Sequence, residues 1–328
     1  MAQLAAHVTT AEKRVARGRS LVRRPRVLET VLETGIKGIA LLSILAVLLI
    51  LVFVGKEALP VLTSPEVHKE ITFFGLFRPH AEAGFMWQPV SDDPKYNVLP
   101  LFLGTLKVTF VALLVAVPLG VAAALYVSEF AGRRSREIIK PAIELLAGVP
   151  SVVIGFFALV VLATWVQKAF GTEHRLNSIV AGIALAVAVC PIVFSVSEDA
   201  FRAVPNSYRT AAIGLGSSKS QILLRIVVPA AAPGIAAAIV LGFGRAIGET
   251  MIVVLATGNA ALFDGSFEHS TRTITATIAQ ELGEVVVGSP HYHVLFALGA
   301  MLFMSTLAVN LGAERIVGRM RRRLGGGT

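Results

Sequence analysis

The chain is poor in residues that carry covalent or redox chemistry. Among 328 residues there are one cysteine and two tryptophans, and only 16% are charged. The lone Cys190 excludes an internal disulfide and, without ligand company, reads as a packing residue beside Pro191. The histidines fall mostly in loops. His291 and His293 form an H-x-H, but two ligands without a third are a weak basis for a metal site, and none is expected. No G-x-S-x-G and no H-E-x-x-H is present, so those hydrolase signatures are excluded. Gly216-Ser217-Ser218-Lys219-Ser220 has the lysine and serine of a phosphate loop but lacks its glycines, so the chain itself is not expected to hydrolyse ATP. Internal repeats and low-complexity linkers are also missing.

What the chain does have is apolar length. Hydrophobic residues make up 55% of it and mean hydropathy is +0.72. They gather into six runs, near 36–54, 101–126, 141–166, 178–197, 230–257 and 293–311. Each is long enough to cross a hydrocarbon layer of about 30 Å. The expectation is an all-α polytopic membrane protein. A basic stretch precedes the first run, as in a secretory signal. The run is too long for one, however, and the V-G-K-E-A-L after it is no small-residue cleavage site, so an anchored helix is expected.

Lys and Arg outside the runs set the orientation. Twenty lie in 1–35, 127–140, 198–229 and 312–328, against seven in 55–100, 167–177 and 258–292. Both termini and the 198–229 loop are therefore expected in the cytoplasm. These flanks also account for the net charge of +9 without a nucleic-acid partner. The expected order is a basic arm at 1–35, a first span at 36–54 and an extracytoplasmic cap at 55–100. A membrane core at 101–311 and a basic tail at 312–328 follow. Phe85 and Trp87 place the cap at the membrane interface. Ile274, Ile278, Leu282 and Val285 recur at helical spacing and predict a short helix at the outer mouth. Gly244 and Gly248 form a G-x-x-x-G, and Gly148, Pro150 and Gly155 interrupt the third run; such residues allow close packing or kinks.

The 198–229 loop is longer than two adjacent spans require. Pro205, Asn206 and Ser207 signal a helix start, and Gly214 and Gly216 signal its stop. Between them a two-turn helix would present Ala211, Ala212 and Ile213, suited to a groove on another protein or to lying against the bilayer. The stretch resembles the cytoplasmic signature of ABC-importer permeases: Glu-Ala-Ala, three residues, Gly, nine residues, Ile, one residue, Leu-Pro. Here Thr210, Ala211, Ala212, Gly216, Ile226, Val228 and Pro229 stand in that register, with Thr for Glu and Val for Leu.

S-E-D-A-F-R-A-V-P at 197–205, G-V-P-S-V-V-I-G-F at 148–156 and G-R-A-I-G-E-T-M at 244–251 are similar to the permease pair of the phosphate importer. G-E-T-M and the W-Q-P-V at 87–90 look like the PstC type more than the PstA type; a sulfate or molybdate permease is a further alternative. The resemblance covers roughly 85–311. It implies a type I (MetI-like) permease core whose 206–216 helix docks on an ATP-hydrolysing subunit. It also implies a second permease, PstA-like, two PstB-like ATPases carrying ATP and Mg, and an extracytoplasmic PstS-like phosphate-binding protein. The chain itself would bind no cofactor. An intramembrane enzyme or a proton-driven carrier would leave the cytoplasmic signature unexplained.

Arg245 and Glu249 stand four apart inside the fifth run, where either charge alone costs about 2.5–3.5 kcal/mol at mid-bilayer. Helical spacing lets them meet. Two readings are open. In one they form a structural pair that neutralises itself. In the other Arg245 lines the path and grips a passing phosphate, while Glu249 holds it in the empty state. The resemblance favours the second. Lys107 is a weaker pathway candidate, expected to snorkel to the interface, and Glu144 is expected only to cap or pair.

Overall fold

A computed structural model describes residues 27–80 and 84–324. Most of the 1–35 arm lies outside the described residues, as does the end of the tail. Among the described residues, six helices are long and apolar enough to cross a membrane. The first, α1 (Val27–Ala58), begins in one compact unit, Met1–Phe53, and ends in a second, Val54–Thr328, which holds every later element. The short helices α2 (Pro60–Thr63) and α3 (Pro65–Glu70) follow. The remaining spans are α4 (Leu99–Glu129), α6 (Ser151–Phe170), α7 (Ser178–Arg202), α9 (Lys219–Ile247) and α12 (Pro290–Leu324). Between them lie α5 (Arg133–Ala147), α8 (Asn206–Gly214), α10 (Met251–Ala256) and α11 (Ile274–Glu281).

Two of the six runs are divided differently from expectation. The third does not begin at 141: α5 is a separate amphipathic helix, and the span starts at Ser151 after the break at Gly148–Pro150. Pro150 disfavours helical backbone at Val149, which is why the helix stops there. The fifth begins earlier, at Lys219, and its helix ends at Ile247, so 230–257 is not one rod. Near its start, Leu223–Val227 is wound as a π-turn just before Pro229, whose missing N–H leaves no donor for the regular ladder.

Side chains at the helix ends fix their positions. Asn177 caps α7 by accepting from the backbone N–H groups of Ile179 and Val180, each at 3.0 Å. Arg136 donates to the carbonyls of Val127 and Ser128 and so closes the C-terminus of α4. α4 and α7 pack along a seam of small residues, including Ala112, Ala116, Ala181, Ala184 and Ala188, all buried. A Cβ added at Gly182 would lie 2.4 Å from Val111 Cβ, so the two backbones approach as closely as glycine permits. Cys190 packs against this core.

At the end of the bundle opposite α8, residues 60–80 and 84–98 form a cap whose Val61, Val67, Leu76, Trp87 and Tyr96 share one apolar cluster with Leu101 of α4, Ile274 of α11 and Leu295 of α12. Trp87 is buried there. Its indole N–H reaches the Glu281 carboxylate at 3.1 Å. Glu281 also holds Arg272 and His291, each at 2.9 Å. His293 turns away to Glu57, so the H-x-H pair does not converge.

Candidate functional site: a broken helix and a short surface helix

The Arg245–Glu249 pair forms at 3.2 Å, but the helix ends between its two members. Gly248 terminates α9, Glu249 and Thr250 are not helical, and α10 starts at Met251. A gap in a membrane helix frees polar backbone groups, which need other partners. Glu249 supplies two of these contacts. Its Oε1 accepts from Thr250 N–H at 3.1 Å, and its carbonyl accepts from Thr275 Oγ1 of α11 at 2.7 Å. Gly155 lets α6 pass the break, since a Cβ there would meet Met251 O at 3.1 Å.

The two charges differ in setting. The Glu249 side chain is 4% exposed and the Arg245 side chain 48%. Leu241, Arg245 and Gly248 mark one outward stripe of α9 and its end, while Gly242, Ala246 and Ile247 face inward. Gly242 packs against Val193 and Val189, whereas nothing lies within 4 Å of a Cβ added at Gly244. The G-x-x-x-G therefore makes no close packing against another element of this chain. Among the described residues Glu249 is the one acid within ion-pair distance of Arg245, and the rest of the planar fork faces outward.

Lys107 does not snorkel. It is buried, and its Nζ donates to the carbonyls of Asp264 at 3.0 Å and Ser266 at 2.7 Å, pinning the loop after α10. Glu144 pairs with Lys140 at 3.9 Å, and Lys140 reaches the fully buried Glu198 of α7 at 2.7 Å.

At the other end, α8 occupies Asn206–Gly214, and Gly216 follows at φ +78°. Gly216 N–H donates to Ile213 O and Ser217 N–H to Ala212 O, the paired bonds of a helix stop that favours glycine. Thr210, Ala211, Ile213 and Gly216 are exposed. Ala212 is the exception to the expected display, because it packs inward with Ala124, Val127, Phe201 and Ile222. Thr210 turns its hydroxyl back to Asn206 O and Ser207 O. Ile226 and Pro229 lie on α9 and line a groove of about 610 Å³ with Tyr208, Ala203 and Arg225.

What holds α8 was not legible in the sequence. Arg209 reaches Glu129, at the end of α4, at 2.6 Å, and also donates to Phe201 O at 3.0 Å and Val204 O at 2.6 Å. Lys219, from the stretch resembling a phosphate loop, lies over the Phe130 ring and opens α9 behind a Ser218–Gln221 capping box.

Residues 116–325 match the family model "Binding-protein-dependent transport system inner membrane component". The chain is 38% identical over 229 residues to "Probable ABC transporter permease protein YqgH" of Bacillus subtilis, covering 69% of this chain and 73% of that one. It is 31% identical over 299 residues to "Phosphate transport system permease protein PstC" of Mesorhizobium japonicum, covering 85% and 89%. Its fold matches that of a bacterial ABC transporter involved in the import of the acidic polysaccharide alginate, with a TM-score of 0.59 and 16% identity over 90% of this chain and 99% of that one. The chain belongs to the family of binding-protein-dependent transport system inner membrane components.

Proposed function

We propose that this chain is the PstC-type permease of an ATP-driven importer of inorganic phosphate, with both termini in the cytoplasm. It pairs with a PstA-like permease, receives phosphate from a PstS-like binding protein outside, and is driven by two PstB-like ATPases that carry the ATP and Mg. The similarity to phosphate permeases over 85% of the chain supports the substrate. The carrying observation is Arg245, half-exposed where a membrane helix breaks. An arginine left in lipid costs about 2.5–3.5 kcal/mol, so this face belongs against a second subunit or a water-filled path.

In this reading the outward edge of the guanidinium donates two parallel hydrogen bonds to phosphate oxygens. Glu249, fixed by its bond to Thr250 N–H, reclaims the cation when the anion leaves and so limits the grip on it. The exposed residues Thr210, Ala211, Ile213 and Gly216 meet the ATPase, while Ala212, Ile226 and Pro229 tie α8 to the spans.

Arg245→Gln removes the charge and keeps most of the length. Uptake of labelled phosphate in cells should be lost while the assembled complex is still recovered. Normal uptake would refute the pathway role. Excess sulfate should leave wild-type uptake unchanged; strong competition by sulfate would move the substrate to another tetrahedral oxyanion.

A further inference from the structure

A cluster at the end opposite α8 serves none of the roles above. Glu173 and His174 lie in the connection between α6 and α7, and His269 lies in the connection between α10 and α11. Their ligand-capable atoms all fall within 4.8 Å of one another. Glu173 Oε2 is 3.6 Å from His269 Nε2, and the His174 and His269 rings meet edge to face with centroids 5.2 Å apart. On its other side, His269 Nδ1 bonds to Asp264 Oδ2.

The Asp264 carboxylate accepts hydrogen bonds only, so Nδ1 of His269 is the protonated nitrogen and the lone pair of the neutral ring sits on Nε2. That lone pair faces the Glu173 carboxylate, and the two repel unless a cation lies between them. A tetrahedral ion with bonds of about 2.0–2.1 Å holds its ligand atoms roughly 3.3 Å apart, so the 3.6 Å separation needs only a small inward shift. A carboxylate behind the imidazole is the usual outer support of a metal-bound histidine.

Both loops are already braced. Thr172 Oγ1 and Asn177 Nδ2 donate to His174 O at 3.2 and 2.8 Å, and Lys107 grips the carbonyls of Asp264 and Ser266. We propose that Glu173, His174 and His269, oriented by Asp264, bind one divalent ion of the zinc class, with water completing the shell. The ion joins the two loops at this end of the bundle.

The test is titration of the tag-free chain, purified in its assembled complex, with Zn²⁺ by calorimetry and with Co²⁺ by visible absorption. One ion per chain is expected, with the intense bands of four-coordinate Co²⁺. His269→Ala and His174→Ala should weaken binding by at least about 100-fold, and Asp264→Asn by about 10–100-fold. Glu173→Gln should weaken it too, with little risk to the fold because that side chain is 75% exposed. The neighbouring exposed Glu268→Gln should bind as wild type. Absence of a stoichiometric ion would overturn the proposal and leave an imidazolium between two carboxylates. Wild-type affinity in the His174→Ala and His269→Ala variants would overturn it as well.

Discussion

The seam between α4 and α7 and the break between α9 and α10 both use small residues, yet to opposite ends. Along the seam, alanines and Gly182 close the space completely, and Val111 fills what glycine leaves. At the break, a Cβ at Gly244 would meet nothing within 4 Å, and the Arg245 side chain stays 48% exposed. Small residues alone therefore do not reveal whether a helix face is finished. What separates the two is whether the same chain supplies the opposing wall.

The largest effect expected is at the seam. Gly182→Val would drive a branched side chain into Val111 and the Ala112 backbone. Overpacking a filled core costs about 1–3 kcal/mol, and a backbone neighbour has little room to yield. The variant should fail to accumulate in membranes. Gly244→Ala should accumulate normally, since alanine is favoured over glycine in a helix by about 1 kcal/mol, but should transport less phosphate because its methyl enters space this chain leaves open near the break. Normal accumulation of Gly182→Val, or normal uptake with Gly244→Ala, would erase the distinction between the two faces.

Most of the architecture was legible because hydropathy is a local property. Six apolar runs gave six spans, and the α8 boundaries followed from Pro205 at one end and Gly214 and Gly216 at the other. The start of the third span was misplaced because Ile143, Leu145 and Leu146 continue the apolar signal across an amphipathic helix that packs only one face. The break at 248–250 was hidden for a related reason: three residues barely lower the average of a long apolar run. Contacts that depend on distant residues left no trace at all. Arg209 and Glu129 stand eighty positions apart, Trp87 and Glu281 still farther, and no spacing rule joins them. Even Lys107 was misread because its partners are backbone carbonyls, which carry no residue signature.

A middle-sized effect is expected at the Arg209–Glu129 contact, where α8 meets the end of α4. The side chains are 20% and 15% exposed, so the pair is partly shielded and its loss falls short of the roughly 3–5 kcal/mol of a fully buried one. Arg209→Met should leave the complex assembled, because Ala212 still packs inward. It should also lower the phosphate moved per ATP hydrolysed by the reconstituted complex, as α8 loses its tie to α4. Glu129→Gln should do the same more mildly, since Phe201 O and Val204 O still hold the guanidinium. If both variants keep the wild-type ratio of transport to hydrolysis, the contact is merely structural.

The smallest effect is expected at Lys107, a cation enclosed by its own chain and so the counterpart of Arg245. Lys107→Met keeps similar length while removing two hydrogen bonds to carbonyls. A charged hydrogen bond contributes about 1.5–3 kcal/mol, but the desolvation of a buried ammonium disappears with it. The net change should be small and confined to the loop it pins. Hydrogen exchange of residues 262–270 should quicken, while phosphate uptake stays near wild type. Loss of uptake with unchanged loop protection would return Lys107 to the translocation path. The chain would then present two cations to the anion, and burial by its own loops would no longer separate a structural charge from a working one.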